Sequence, residues 1–152
     1  TLTIIDRKKN IFKLSQGEYV AAEKLESCLL KNKYVAQIFV YGDSLKSTLV
    51  AVIVPDPDTL IPWAKSQAIP NADNLDAICR DENVIKHVLK SLGETGREWQ
   101  FKGFEFIRAV HLEPEAFSVE QDLLTPTHKN KRPQLTRHYH NVFDQLYASI
   151  PE

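Results

Sequence analysis

The sequence contains no methionine, not even at position 1, where the chain begins Thr-Leu-Thr. Because translation starts at methionine, we expect this chain to be part of a longer protein. It also lacks any apolar stretch near the roughly 18 residues that a membrane-spanning helix needs, and it has no basic-then-apolar signal segment. Its two cysteines, Cys28 and Cys79, fit no metal-ligand spacing, so we expect buried thiols in a reducing compartment.

The common catalytic motifs are missing as well. The sequence has no GxxxxGK, GxGxxG, GxSxG or HExxH pattern, and its five glycines do not cluster into a phosphate cradle. His138 and His140 lie two residues apart on a predicted helix, so their side chains point to different faces. We therefore expect no metal site in this chain.

The composition is that of one globular domain. Hydrophobic residues make up 43% of the 152 residues and charged residues 26%, and the net charge of −1 argues against a nucleic-acid partner. The charges are unevenly distributed, because residues 123–143 contain no acidic side chain but four basic ones. This segment is either a solvated basic helix face or a site for a phosphate or carboxylate.

Hydrophobic periodicity predicts helices at residues 21–31, 59–67 and 83–92 and after Pro133, with Asp81 as an N-cap. Strands are predicted at residues 2–6, 35–41, 49–54 and 104–112, and Tyr19 and Val20 could form another. The third helix ends near Gly93 or continues toward Trp99. These elements predict an α+β fold, with a small, mostly antiparallel sheet flanked by helices.

Some individual side chains can also be interpreted from this pattern. Glu23 and Glu26 fall on the first predicted helix, and we expect them to be solvated. Trp63 and Trp99 are expected to anchor a core or an interface.

Two segments stand out from this ordinary pattern. Residues 6–26 are rich in lysine and centre on a loop with Gly17. Residues 122–132 form a Thr/Pro-containing loop that ends in basic residues just before a helix, within a long aperiodic stretch of the kind that is often functional. A lysine on such a loop can reach a neighbouring carboxylate or phosphate as a mobile cation.

Both segments resemble motifs of one enzyme family. Residues 5–26 read IDRKKNIFKLSQGEYVAAEKLE and resemble the hinge motif of adenylate-forming enzymes, in the wording typical of long-chain fatty acid–CoA ligases. Residues 124–132 read LTPTHKNKR and resemble the later lysine-bearing motif of the same C-terminal domain. The motifs occur in the expected order, and the resemblance covers essentially the whole chain.

The resemblance implies that residues 1–152 are a C-terminal lid domain, with a hinge near residues 6–10 and a catalytic-lysine loop at 122–132. Such a lid works with a large N-terminal domain that binds ATP and the acyl chain and is absent from this chain. The implied reaction converts a long-chain fatty acid and ATP to an acyl-adenylate, and then forms a thioester with coenzyme A (CoA). The lid rotates between these steps, Mg²⁺ is expected at the missing domain, and the chain alone is expected to be inactive.

The resemblance also assigns roles at the N-terminal motif. Lys9 corresponds to the hinge position, where the backbone turns during rotation. Arg7 corresponds to the arginine that contacts the nucleotide. Gly17, Glu18 and Tyr19 correspond to the loop that lies beside the pantetheine channel during thioester formation.

At the second motif, Lys129 corresponds to the catalytic lysine that bridges the substrate carboxylate and the ATP phosphates. The match is imperfect, because Thr127 and His128 precede Lys129 where the family usually has Ser-Gly. Lys131 and Arg132 are therefore secondary candidates, and Lys131 is an alternative for the operative lysine.

Two other functions stay open on the sequence alone. The chain could be the lid of another adenylate-forming ligase that acts on an aromatic or shorter acid, or it could be a stand-alone anion-binding module. We expect an intracellular location, in the cytosol or on the cytosolic face of a membrane, with possible peripheral membrane association of the full-length enzyme.

Overall fold

A computed structural model of the chain describes residues 11–150. Its strands form a two-stranded hairpin, β1 (Ile11–Lys13) with β2 (Tyr19–Ala21), and a three-stranded sheet made of β3 (Val35–Gly42), β4 (Leu49–Pro55) and β5 (Ile107–Leu112). The hairpin and the β3–β4 pair are antiparallel, whereas β4 and β5 are parallel. The predicted α+β fold with a mostly antiparallel sheet is confirmed. The strand predicted at residues 2–6 lies outside the described residues.

The helices of the described part are α1 (Ala22–Leu29), α2 (Pro57–Ser66), α3 (Leu75–Arg80), α4 (Glu82–Glu98), α5 (Arg132–His138) and α6 (His140–Ser149). Side-chain caps fix the starts of α2, α3 and α4. The predicted N-cap Asp81 is confirmed, because its carboxylate accepts the backbone N–H of Asn83 at 2.8 Å and of Val84 at 3.2 Å.

The central strand β4 is buried on both faces. Alternate side chains of a strand point to opposite sides of a sheet, and here they join two hydrophobic clusters. Leu49, Ala51 and Ile53 belong to the cluster formed with α1 to α4. Val50, Val52 and Val54 belong to the cluster formed with α5, α6 and the preceding loop. The sheet is therefore a middle layer between two sets of helices.

Two predicted boundaries are wrong. The strand predicted from Phe104 starts at Ile107, because residues 103–105 form a 3₁₀ turn in which Glu105 accepts the Lys102 N–H at 2.8 Å. The helix predicted after Pro133 is two helices separated at Tyr139, whose ψ angle is 17°. The turn allows the buried Tyr139 ring to pack against Phe117 at a centroid distance of 6.0 Å.

The predicted burial of the cysteines and tryptophans is met at one residue of each type. Cys79 is buried, as predicted, whereas Cys28 is only half-buried. Trp63 packs on the core and stacks against His87 at 3.8 Å, while Trp99 is 49% exposed just after α4.

The long loop between β5 and α5 returns to β3, which is an edge strand. Gln37 of β3 holds the middle of this loop through two hydrogen bonds with Phe117. The Phe117 N–H donates to Gln37 Oε1 at 2.7 Å, and Gln37 Nε2 donates to the Phe117 carbonyl at 3.3 Å. The loop therefore places its following basic segment beside the exposed edge of the sheet.

Candidate functional site

The basic loop at residues 122–132 has a buried base. Leu123 and Leu124 are 2% and 4% exposed, and their backbone N–H groups donate to the Ser118 carbonyl. A β-bridge joins Leu124 to Asn130 and closes the loop between them. Burial of two leucines and backbone pairing fix the two ends of the loop, so its tip is presented from a rigid support.

Hydrogen bonds also order the tip of the loop, which carries Lys129. The Thr125 N–H donates to the Lys129 carbonyl at 2.8 Å, and the Lys129 N–H donates to Thr125 Oγ1 at 3.0 Å. His128 takes a left-handed conformation with φ of 64°. The Lys129 side chain is exposed, and its ammonium makes no ion pair within residues 11–150. The loop thus presents a positive charge to solvent.

The two basic residues after Lys129 are engaged in contacts. Lys131 forms an ion pair with Asp122 at the other end of the loop. Arg132 forms an ion pair with Glu26 of α1, and both of these side chains are largely buried. An anion that approached either cation would therefore have to compete with an existing carboxylate.

Glu26 is not solvated, so that expectation is wrong. The residue is 6% exposed, and Glu26 Oε2 accepts the Val40 N–H at 2.8 Å. Burial raises the pKa of the Glu26 carboxyl, while the Arg132 charge acts in the opposite direction. The helical period contained the signal, because Glu26 lies four residues after the buried Ala22 and three before the buried Leu29. Glu23 is exposed, as predicted.

A cleft of about 540 Å³ lies between α1, the start of β3 and the lysine loop. We call this the loop cleft. Its lining includes Lys129, His128 and Thr125 from the loop, and Glu26 and Arg132 at the contact with α1. The structure therefore brings the main candidate, Lys129, and the secondary candidate Arg132 to one cleft.

The other sequence candidates lie apart from this cleft. Gly17, Glu18 and Tyr19 are on the β1–β2 hairpin, where Gly17 has φ of 93° and the Leu14 N–H donates to the Glu18 carbonyl at 2.8 Å. Tyr19 is 65% exposed, with Lys13 Nζ 5.8 Å from its ring centroid. None of these three residues lines the loop cleft.

This hairpin is connected to the main sheet rather than isolated from it. The Ser15 N–H donates to the Lys46 carbonyl at 3.0 Å, and Gln16 Nε2 donates to the Ser47 carbonyl at 3.3 Å. Arg7 and Lys9, the candidates for nucleotide contact and hinge, lie outside the described residues.

Within residues 11–150, no three side chains among His, Cys, Asp and Glu are grouped so that they could bind a metal ion. Across the same residues, none of the helices combines the length and apolar character that crossing a bilayer requires.

Comparison with known proteins finds curated relatives of this chain. No protein-family model matches the chain. Long chain acyl-CoA synthetase 2 of Arabidopsis thaliana is 50% identical over 149 residues, 97% of this chain. Long-chain-fatty-acid–CoA ligase 1 of Homo sapiens is 43% identical over 99% of this chain, and the peroxisomal long chain acyl-CoA synthetase 7 of Arabidopsis thaliana is 48% identical over 98%. Over almost its whole length, this chain is similar to the long-chain acyl-CoA synthetases.

The chain spans only 21–22% of the length of these acyl-CoA synthetases. Solved structures of adenylation domains also match this chain, which covers about a fifth of each solved chain. One is from a carboxylate reductase of Mycobacterium chelonae, with a TM-score of 0.79, 35% identity, and coverage of 94% of this chain and 20% of that chain. Another, from Segniliparus rugosus, was solved with AMP and a co-purified carboxylic acid, and has a TM-score of 0.79, 34% identity, and coverage of 93% and 20%.

Proposed function

We propose that residues 1–152 are the C-terminal lid of an ATP-dependent long-chain fatty acid–CoA ligase, with the hinge near residues 6–10 and the catalytic loop at 122–132. One observation carries the assignment of the catalytic residue. Lys129 presents its ammonium from an anchored loop, whereas Lys131 and Arg132 are ion-paired within the domain. Similarity to the long-chain acyl-CoA synthetases supports a reaction in which such a cation is needed.

Lys129 is assigned to acyl-adenylate formation, the first half of this reaction. A fatty-acid carboxylate must approach the α-phosphate of ATP, and the two anions repel each other. An ammonium between them lowers that repulsion and stabilises the negative charge that develops in the transition state. Its long, flexible stem suits a cation that must enter and leave the site. Lys129 is therefore preferred over Lys131 as the operative lysine.

The hairpin loop is assigned to the second half of the reaction. In this proposal Gly17, Glu18 and Tyr19 lie beside the pantetheine of CoA when the thioester forms. Gly17 supports the tight turn with its positive φ, and the exposed Tyr19 ring offers an apolar surface next to it. Arg7 is assigned to the nucleotide, and Lys9 to the hinge that lets the lid exchange these two surfaces.

The proposal includes ATP, CoA and Mg²⁺ as the groups used by the complete enzyme. The exposed cation of Lys129 suits the phosphates of ATP. For Mg²⁺, the described residues offer no cluster of carboxylates, so we assign its ligands to the large N-terminal domain that is the main partner of this lid. We also propose an intracellular location, cytosolic or on a cytosolic membrane face with peripheral association. Two of the Arabidopsis thaliana relatives are named peroxisomal.

A related function is the second candidate. The structural neighbours are adenylation domains of carboxylate reductases, so the same lid fold occurs in enzymes outside the acyl-CoA synthetases. The complete enzyme could therefore prefer an aromatic or shorter acid. A substrate profile across chain lengths separates the two candidates, because a long-chain ligase should lose activity as the acyl chain is shortened.

The decisive test separates the two half-reactions in the complete enzyme. Lys129→Ala should slow acyl-adenylate formation by about 100-fold or more, because the positive charge that stabilises the transition state is removed. Thioester formation from supplied acyl-adenylate should stay near the wild-type rate. Adenylate formation can be followed by pyrophosphate exchange, and the second step by acyl-CoA release.

Lys131→Ala is the matched control for this test. It removes a neighbouring lysine of the same loop whose charge is already paired with Asp122. We expect adenylate formation to fall by less than about fivefold, in line with the small energy of an exposed ion pair. Equal losses in both half-reactions for Lys129→Ala, or a larger loss for Lys131→Ala, would contradict the assignment.

A further inference from the structure

The backbone N–H and the backbone carbonyl of Val40, on the edge of β3 that pairs with no strand, are both bound by charged side chains. The Val40 N–H donates to Glu26 Oε2 at 2.8 Å, and Arg132 Nη1 donates to the Val40 carbonyl at 3.4 Å. Glu26 and Arg132 also form an ion pair with each other. A carboxylate, a guanidinium and the backbone of one residue thus form a closed network between α1, β3 and α5.

This network is shielded from solvent. The Glu26 and Arg132 side chains are 7% and 16% exposed, and the guanidinium carbon of Arg132 lies 5.4 Å from the Phe39 ring centroid. Each charge is therefore held by the other and by fixed dipoles rather than by water. Removing one partner of a shielded ion pair leaves a buried charge without its counter-charge. The stability lost is therefore much greater than when an exposed ion pair is broken.

The same strand edge holds the lysine loop at a second point. Asn130 Nδ2 donates to the Ile38 carbonyl at 2.8 Å. Ile38 and Val40 are two residues apart, so both carbonyls point from the same edge of β3. Lys129 directly precedes Asn130 in the chain, and Arg132 begins α5. The segment after Lys129 is therefore tied to the sheet at two successive positions.

From this geometry we infer that Glu26 and Arg132 are positioning residues for Lys129. This inference rests on the proposed function of Lys129. The pair holds the C-terminal side of the lysine loop against β3, so that the ammonium starts from a fixed point when the lid closes. A catalytic group that is displaced by about 1 Å can lose on the order of 100-fold in rate.

The Glu26–Arg132 ion pair also connects the two motifs. Glu26 belongs to α1, which follows directly after the β1–β2 hairpin with Gly17, Glu18 and Tyr19. Arg132 belongs to the segment with Lys129. The ion pair therefore links the element next to the proposed thioester surface with the adenylation loop, although the two residues are 106 positions apart.

The test uses Glu26→Gln and Arg132→Gln in the complete enzyme. Both replacements keep hydrogen-bonding capacity but remove one charge. We expect the kcat of adenylate formation to fall by about 10- to 100-fold, with KM for ATP and fatty acid changed by less than about threefold. Thioester formation from supplied acyl-adenylate should change by less than about threefold. Arg132→Lys, which retains a charge but loses the planar fork, should give an intermediate loss of kcat.

Lys65→Gln is the matched control, because Lys65 of α2 forms an exposed ion pair with Asp73 at 2.7 Å, and neither residue lines the loop cleft. We expect it to leave both half-reactions unchanged. If the charge variants do not fold, Asn130→Ala decides the question, because it removes the contact with Ile38 but leaves the buried ion pair intact. It should also lower adenylate formation selectively, by several-fold.

Two results would overturn the inference while leaving the proposed function intact. One is a proportional loss of both half-reactions in the variants that fold, which would mean a purely structural role. The other is full adenylation activity in Glu26→Gln, Arg132→Gln or Asn130→Ala while Lys129→Ala is inactive in that step. If Lys129→Ala itself retains adenylation, the proposed function has failed instead, and with it the role of the pair.

Discussion

His128, the residue before Lys129, adopts a backbone conformation that favours glycine. Its φ of 64° lies in the left-handed region, where the side chains of most L-residues meet the following carbonyl. Histidine tolerates this region better than β-branched residues do. The motif that this loop resembles usually has glycine at this position, and the left-handed turn gives a physical reason for that preference. The departure at His128 therefore preserves the shape of the loop.

This interpretation predicts opposite outcomes for two substitutions at one position. His128→Val should lower the free energy of unfolding by about 1–2 kcal/mol, because a β-branched residue is strained at positive φ. His128→Gly should change it by less than about 1 kcal/mol, since relief of strain offsets the greater freedom of glycine in the unfolded chain. Urea unfolding of the 152-residue chain, followed by tryptophan fluorescence, measures both.

His140→Val serves as the control for this pair. His140 is exposed at the first position of α6, and its contact with Asp144 is a surface pair at 3.5 Å. Histidine and valine have similar helix propensities, so a change of less than about 1 kcal/mol is expected. A loss at His140→Val as large as that at His128→Val would show that left-handed strain is not the cause.

Lys129 and Glu26 show which residues of this site the sequence can predict and which it cannot. Lys129 could be selected because its motif is local and continuous in the chain. Glu26 could not be selected in the same way, because its partners Val40 and Arg132 lie far away in sequence and meet it only through the packing of α1 against β3. A charged residue on a helix is usually solvated, and only a distant counter-charge reverses that expectation.

At the scale of elements, α4 shows that packing decides where a helix ends. The two glycines Gly93 and Gly96 leave open whether the helix ends near Gly93 or continues toward Trp99, and α4 continues to Glu98. A Cβ atom at Gly96 would lie 2.8 Å from Phe106 Cε1 and 3.0 Å from Phe101 Cδ2, whereas nothing lies within 4 Å of one at Gly93. Gly96 thus allows two aromatic rings to approach the helix, and tertiary packing rather than local propensity explains its presence.

The two glycines should therefore respond in opposite directions to the same change. Gly93→Ala should raise the free energy of unfolding by about 0.5–1 kcal/mol, because alanine favours the helix and meets open space. Gly96→Ala should lower it by about 1–3 kcal/mol, since overpacking of the two rings exceeds the gain in helix propensity. Chemical denaturation of both variants compares them directly, and a stabilising Gly96→Ala would mean that the rings move aside without cost.

The elements that were predicted well are those with a strong local pattern. The β3–β4 pair and the start of α4 follow from apolar runs and from the cap at Asp81. The late start of β5 depends on the Glu105 contact with the Lys102 N–H, and the break at Tyr139 depends on packing against Phe117. Neither contact leaves a periodic signal in the sequence, so local patterns could not identify these boundaries.

At the scale of the whole molecule, the two proposed functional surfaces belong to one connected body. The hairpin with Gly17 and Tyr19 is joined to the β3–β4 turn by the Ser15 N–H, which donates to the Lys46 carbonyl. The lysine loop is joined through Asn130 and Arg132 to the edge of β3 that does not pair with β4. Neither surface has to rearrange internally if the lid turns as a unit, so exchange between them can be controlled from the hinge.

If the lid turns as one body, the rotation depends on Lys9, the proposed hinge residue. In the complete enzyme, Lys9→Pro should fix φ near −65° and hinder the rotation between the two half-reactions. Adenylate formation should continue near its wild-type rate, while thioester formation should slow on the order of tenfold or more, because in the proposed function the hairpin surface reaches the active site only after the rotation. Lys9→Ala, which removes the charge but keeps the backbone freedom, should retain both steps.

If Lys9→Ala loses thioester formation as severely as Lys9→Pro, the side chain rather than the backbone carries the function, and the hinge assignment is wrong. Equal losses of both steps in Lys9→Pro would instead mean that the lid no longer docks in either position.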